Sequence, residues 1–134
     1  MANAHYRKGA EKILSKQINL LTDTIKAVLV KNTYPQNLST DEFLTDISAY
    51  VLNTAQTMTG TSVTGGVFDA NDVTFLAVAA GDVSEGIVVY KDTGVAGTSP
   101  LLLYIDTITG FPLTTNGSDI TAQWDNGVYK IFSM

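Results

Sequence analysis

From Ser48 onward the chain is a succession of short runs rich in β-branched and aromatic residues, each cut off by Gly, Asn or Asp. That punctuation restricts the fold more than any other feature. Runs this short suit strands, whereas an amphipathic helix needs a longer periodic stretch. The candidate strands are 49–57, 62–68, 73–78, 86–91, 101–106, 120–124 and 128–132. The breaks between them are Thr59-Gly60, Asp69-Ala70-Asn71-Asp72, Ala80-Gly81-Asp82, Asp92-Thr93-Gly94, Thr109-Gly110, Asn116-Gly117 and Asp125-Asn126-Gly127. All are sequences that bond to their own backbone or tolerate positive φ. Asn126-Gly127 fits both central positions of a type I′ turn and predicts a tight hairpin. Ile120, Ala122 and Trp124 alternate with Thr121 and Gln123, the pattern of an antiparallel strand with one wet face.

The segment upstream adds one more strand and two helical pieces. Residues 24–31 (TIKAVLVK) read as a nearly fully buried strand closed by Tyr34-Pro35. Leu14, Ile18 and Leu21 recur at helical spacing with Ile13 beside them, and predict a helix over 10–21 whose apolar stripe packs inward. Glu11, Lys12, Lys16 and Gln17 would occupy its wet face. Ser39 and Glu42 have capping-box spacing and predict a short helix presenting Phe43, Leu44 and Ile47 to the core. Strands without regular helices between them argue against a parallel α/β sheet. The expected fold is mostly β: an antiparallel β-sandwich or partly closed barrel, with a short N-terminal helix and one short inserted helix. At 134 residues, a single domain 1–134 is expected, with 1–20 as N-terminal arm and helix and 21–134 as the sandwich.

Charge narrows the partners. The net charge is −5, and only four of the eight Lys and Arg residues cluster, as Arg7, Lys8, Lys12 and Lys16. Phosphate neutralisation needs denser positive charge, so no nucleic-acid partner is expected. Charged residues make up 16% of the chain, below the roughly 25% usual for soluble domains, which suits a surface covered by neighbours. No apolar run approaches the length of a membrane span or a secretory signal, and the chain has no cysteine. No membrane association and no thiol chemistry are expected.

Catalysis is not expected either. The only histidine, His5, reads as a solvated residue of the N-terminal tail, and no Gly-x-Ser-x-Gly elbow presents a nucleophile. Most carboxylates fall in turns, where local hydrogen bonding accounts for them. Asp69-Ala70-Asn71-Asp72 has three oxygen-bearing side chains but lacks the Gly and the distal Glu of an EF-hand calcium loop, and without His or Cys clusters no metal or cofactor is expected. Trp124, alternating with Ile120 and Ala122, reads as a core residue, with a sugar-stacking platform as the other possibility.

Several segments together carry a resemblance: Leu21-Thr22-Asp23-Thr24-Ile25-Lys26-Ala27-Val28-Leu29-Val30, Thr40-Asp41-Glu42-Phe43-Leu44, Asn71-Asp72-Val73-Thr74-Phe75, Gly86-Ile87-Val88-Val89-Tyr90-Lys91-Asp92-Thr93-Gly94, Leu103-Tyr104-Ile105-Asp106-Thr107, Asn116-Gly117-Ser118-Asp119-Ile120-Thr121 and Trp124-Asp125-Asn126-Gly127. In this order they resemble small virion structural proteins of tailed bacteriophages, of the capsid decoration (cement) or head-fibre type. The resemblance implies a non-enzymatic protein made in the bacterial host cytoplasm and placed on the capsid exterior. Its partners would be the major capsid protein and further copies of itself, as a homo-oligomer (dimer or trimer). A role at the neck, tail or fibre base, or a carbohydrate-binding module, is the alternative. The basic N-terminal segment, with Tyr6, Arg7, Lys8, Lys12 and Lys16, is the expected partner-binding surface.

Overall fold

Residues Ala27 to Val30 alternate between two buried environments, and that alternation organises the molecule. The computed structural model describes residues 4–52, 54–106, 111–124 and 131–133. In chain order its elements are β1 (Ala4–His5), α1 (Arg7–Leu14), β2 (Ile25–Lys31), β3 (Gln56–Thr57), β4 (Ser62–Thr64), β5 (Val67–Asp69), β6 (Val73–Phe75), β7 (Val83–Lys91), β8 (Leu101–Ile105), β9 (Leu113–Thr114), β10 (Ile120–Ala122) and β11 (Phe132–Ser133). The largest sheet runs β1-β8-β7-β2-β3, and β9 pairs the start of β7. Two small sheets, β10-β6 and β11-β5-β4, complete the antiparallel set.

On one face of the large sheet, Ile25, Ala27, Leu29, Ile87, Val89, Leu103 and Ile105 pack with Phe68, Val73, Phe75 and Ala122 from the small sheets and with Trp124 just beyond β10. On the other, Val28, Val30, Val88, Tyr90, Leu101 and Tyr104 pack with Tyr6 and Ile47, beneath Tyr34, Leu38, Leu44 and Val51. β2, β7 and β8 are therefore covered on both faces, which is why they read as continuous apolar runs. Each such side chain removed from water is worth roughly 1.5–3 kcal/mol. The fold is thus mostly β and antiparallel, as expected, with the large sheet as the middle layer. Among the described residues that sheet ends on β1 and β3 instead of closing into a barrel.

A bulge tunes the packing. Val89 pairs Leu103 but Tyr90 pairs Leu101, so Leu102 is the extra residue and both Leu102 and Leu103 turn to the same cluster.

Several local expectations are corrected. The helix spans Arg7–Leu14, not 10–21, because Lys16 adopts φ 66 and ends it. Ile18 is buried beyond that break, while Leu14 and Leu21 are 76% and 54% exposed, so the inferred stripe is not one helical face. The box expected at Ser39 is replaced by Asp46, whose Oδ2 accepts the N–H groups of Glu42 (2.8 Å) and Phe43 (3.0 Å). The inserted helix is two single 3-10 turns, Leu44–Asp46 and Ser48–Tyr50, with Ile47 buried between them. Among the described residues of 49–57 only Gln56–Thr57 is strand, with Val51 bridging Val30. The run 62–68 is not one strand but a hairpin, β4-β5, folded at Gly65 and Gly66 with φ 60 and 79. Those are type I′ values, which only glycine adopts without strain. β6 stops at Phe75 because Ala77 takes φ 46. His5 is not in a solvated tail but half-buried on edge strand β1, opposite Leu103. The turns Asp125-Asn126-Gly127 and Thr109-Gly110, and residues 128–130 of the last expected strand, lie outside the described residues.

Candidate functional site

The five basic-segment residues fall into two groups. Tyr6 belongs to the interior: its N–H donates to the Leu102 carbonyl (3.0 Å) and its side chain is fully buried. The Tyr34 hydroxyl donates to Asp41 Oδ2 (2.6 Å), which leaves its oxygen to accept from the Tyr6 hydroxyl (2.8 Å). The Tyr34 ring lies 5.6 Å from that of Tyr50 and 6.0 Å from that of Tyr104. Burial pushes the Tyr6 and Tyr34 phenols far above the usual tyrosine range and Tyr104 up to about 12. All three stay protonated at neutral pH. Tyr6 locks the N-terminus to the 34–41 loop and offers nothing to a partner.

Lys12 is also committed. Its Nζ sits 2.8 Å from Glu42 Oε1 and 5.4 Å from the centroid of the Phe43 ring, tying α1 to the 3-10 segment. Gly9 lets α1 sit directly on β8, since a Cβ there would lie 2.0 Å from the Leu101 carbonyl oxygen.

Arg7 and Lys16 are exposed and Lys8 half-buried, and none has an ion pair among the described residues. Lys16 ends α1 in a Schellman arrangement. Its N–H donates to Ile13 O (3.2 Å) and the Gln17 N–H to Lys12 O (2.9 Å). Behind it, residues 17–21 fold back beside the β4-β5 hairpin. Ile13, Ile18, Leu20, Leu21 and Val63 line a shallow recess of about 370 Å³, with Lys16 and Asn19 on its rim. Leu14 (76%) and Leu21 (54%) are among the most exposed large apolar residues described, and Val63 is 45% exposed. Exposed Leu76 and Val95 lie on other loops, as scattered surface residues do.

Charge segregates to the same end. Residues 1–16 hold four bases and one acid, Glu11. Residues 17–134 hold the other four bases and twelve acids, so the net −5 divides into +3 and −8. This end therefore combines exposed apolar surface with positive charge on an acidic molecule, which favours an acidic or acid-rimmed protein surface.

Several of the turn and loop polar groups serve the fold. Asp92 accepts from Lys26 Nζ (2.9 Å) and the Gly94 N–H (2.9 Å), which hold its carboxyl below the usual range. Asp46 is held low by the Phe43 and Glu42 N–H groups. Asp72 accepts from the Trp124 N–H (3.1 Å), and the Asn71 side chain donates to Thr59 Oγ1 (3.3 Å), so 69–72 is a structural turn. Trp124 is buried, with Nε1 donating to Asn71 O (2.9 Å), and presents no sugar-stacking face. Among the described residues no group of three His, Asp or Glu is arranged to hold a metal ion, and no helix is long and apolar enough to cross a membrane.

The sequence singled out the basic residues but misplaced their apolar neighbours. Reading Leu14 and Leu21 as one inward stripe hid the recess, because a left-handed Lys is not visible in a periodicity. Gly65-Gly66 was a usable hairpin signal and would have separated Val63 from the core. No protein-family model matches the chain, and no curated protein matches it.

Proposed function

We propose that this chain is a non-enzymatic structural protein of a tailed-bacteriophage particle that coats the capsid exterior as a decoration protein. The observation that carries the reading is the joining of exposed apolar surface and unpaired positive charge at the α1 end of a doubly packed β scaffold. A rigid scaffold loses little freedom on docking. A basic, apolar face suits a shell of negatively charged subunits. The major capsid protein is the partner, and the contact runs through Arg7, Lys8 and Lys16, while Tyr6 and Lys12 hold the surface in shape. Weak contacts of this size become strong attachment when several copies act together, so the bound form is a dimer or trimer.

The test is co-sedimentation of the purified chain with cognate phage heads lacking it, measured as copies bound per major capsid protein. Saturation at a fixed ratio approaching one establishes decoration. Binding of only a few copies, or none, removes the decoration reading and moves the protein to the neck, tail or fibre base, or to a sugar-binding role.

A further inference from the structure

The strand bordering the recess is open. β4 ends its sheet, and Ser62, Val63 and Thr64 are all exposed. No backbone hydrogen bond reaches its outer side among the described residues. In a two-residue type I′ hairpin, the pair flanking the turn is the bonded one. Thr64–Val67 and Ser62–Asp69 are therefore the bonded pairs, and the Val63 N–H and C=O point outward. Natural edges are guarded by shortness, charge, proline or a bulge; β4 is short, but 59–66 (TGTSVTGG) holds neither a charge nor a proline.

The recess beside this edge is lined in part by Lys16, which has no ion pair among the described residues and holds a costly conformation. Lys16 occupies the left-handed position that helix ends ordinarily give to glycine. Glycine would end α1 equally well, and what lysine adds is an exposed charged side chain on a residue that lines the recess with Leu21 and Val63. A positive φ held by lysine at the border of an apolar recess motivates a binding hypothesis there.

We infer that β4 and the recess receive an extended segment of a partner polypeptide, which adds as a strand along Val63, seats an apolar side chain against Leu21, and sets a carboxylate on Lys16. Main-chain bonds supply affinity, and the apolar and acidic side chains supply specificity. The +3 charge of residues 1–16 selects the acidic partner. The inference rests on reading the α1 end as partner-facing, not on the partner being a phage shell.

The probe is a library of random octapeptides selected on the full chain, with amide NMR spectra of the winners. Selected peptides should place Asp or Glu near Leu, Ile or Val, slow hydrogen exchange at the Val63 amide, and shift resonances in 13–21 and 62–64. Lys16→Gly should weaken them about tenfold, the loss of one charge-assisted contact, while raising thermal stability. Val63→Pro, which removes the outward N–H together with the valine side chain in the recess, should abolish binding, whereas Val63→Thr, which keeps the N–H, should only weaken it. Lys16→Glu should redirect selection to basic peptides. Absence of binding, no acidic preference, or shifts confined elsewhere would overturn the inference. So would self-association lost in Val63→Pro, which would assign the edge to a second copy. Heads that bind Lys16→Gly and Val63→Pro normally reject the groove but not decoration, whereas peptide binding without head binding rejects decoration alone.

Discussion

Lys16 shows how one backbone angle decides what a surface exposes. At φ 66 it stops α1, turns residues 17–21 back on themselves and leaves Leu14 in solvent. A non-glycine residue there costs roughly 1–2 kcal/mol, partly offset by the unfolded-state freedom glycine would bring. Lys16→Gly should therefore stabilise the fold by about 0.5–1 kcal/mol, seen as a rise of a few degrees in Tm. The Tyr6–Tyr34–Asp41 chain behaves oppositely. Tyr34→Phe removes the hydroxyl that satisfies both neighbours, and should cost about 1–3 kcal/mol in urea unfolding. These phenols also set the alkaline limit. Tyr104 has its folded pKa raised to about 12 by burial, so its contribution is complete below the unfolded value near 10 and lost as pH rises toward 12. Tyr6, Tyr34 and Tyr90 are raised as well. Phenolate absorbance should appear in one steep step above about pH 10, together with loss of near-UV circular dichroism. Gradual titration with the dichroism intact would show that the phenols are not locked. Asp46 and Asp92 act at the other end. Their folded values are depressed, so their stabilisation is present above the ordinary aspartate pKa near 4 and lost as pH falls through the folded value.

At the scale of elements, the most informative contact is α1 against β8. Gly9 is buried there with no room for a methyl group, since the nearest atoms are backbone and cannot swing aside. Gly9→Ala should lift the helix from the sheet and cost about 1–3 kcal/mol or more, despite alanine's better helix propensity. Gly65→Ala is the contrasting case: nothing lies within 4 Å of its Cβ, so only the φ of 60 penalises it, by about 1 kcal/mol. Comparing the two by chemical denaturation separates a steric requirement from a conformational one. The outer strands behave as their sizes predict. β1 and β3 pair through two residues each, and β4 leaves only a short open edge. β4 is the short edge that adjoins the recess lined by Leu21 and Val63, and strand addition is proposed there for that reason.

For the whole molecule, the N-terminal segment is part of the core as well as a surface. Removing residues 1–20 would delete Tyr6, β1 and α1, so lost binding in that truncation would report unfolding. Substitution of Arg7 and Lys16 is the cleaner probe. Capsid attachment should weaken as salt rises past the physiological range, where the Debye length falls below about 8 Å. Attachment independent of salt would mean that the basic end is not the contact. The runs at 24–31, 86–91 and 101–106, with their turn-rich surroundings, determined that the chain would be mostly β and antiparallel, because β-branched density and glycine-bounded length are local properties. They also located the positive charge at Arg7, Lys8, Lys12 and Lys16. Tertiary structure decided what those local properties do not encode. It chose which face of β2 meets which cluster, where α1 stops, that Tyr6 and Lys12 turn inward, and that Leu21 and Val63 meet beside Lys16. Each depends on neighbours far along the chain, whose packing outweighs the fraction of a kcal/mol that separates one local conformation from another.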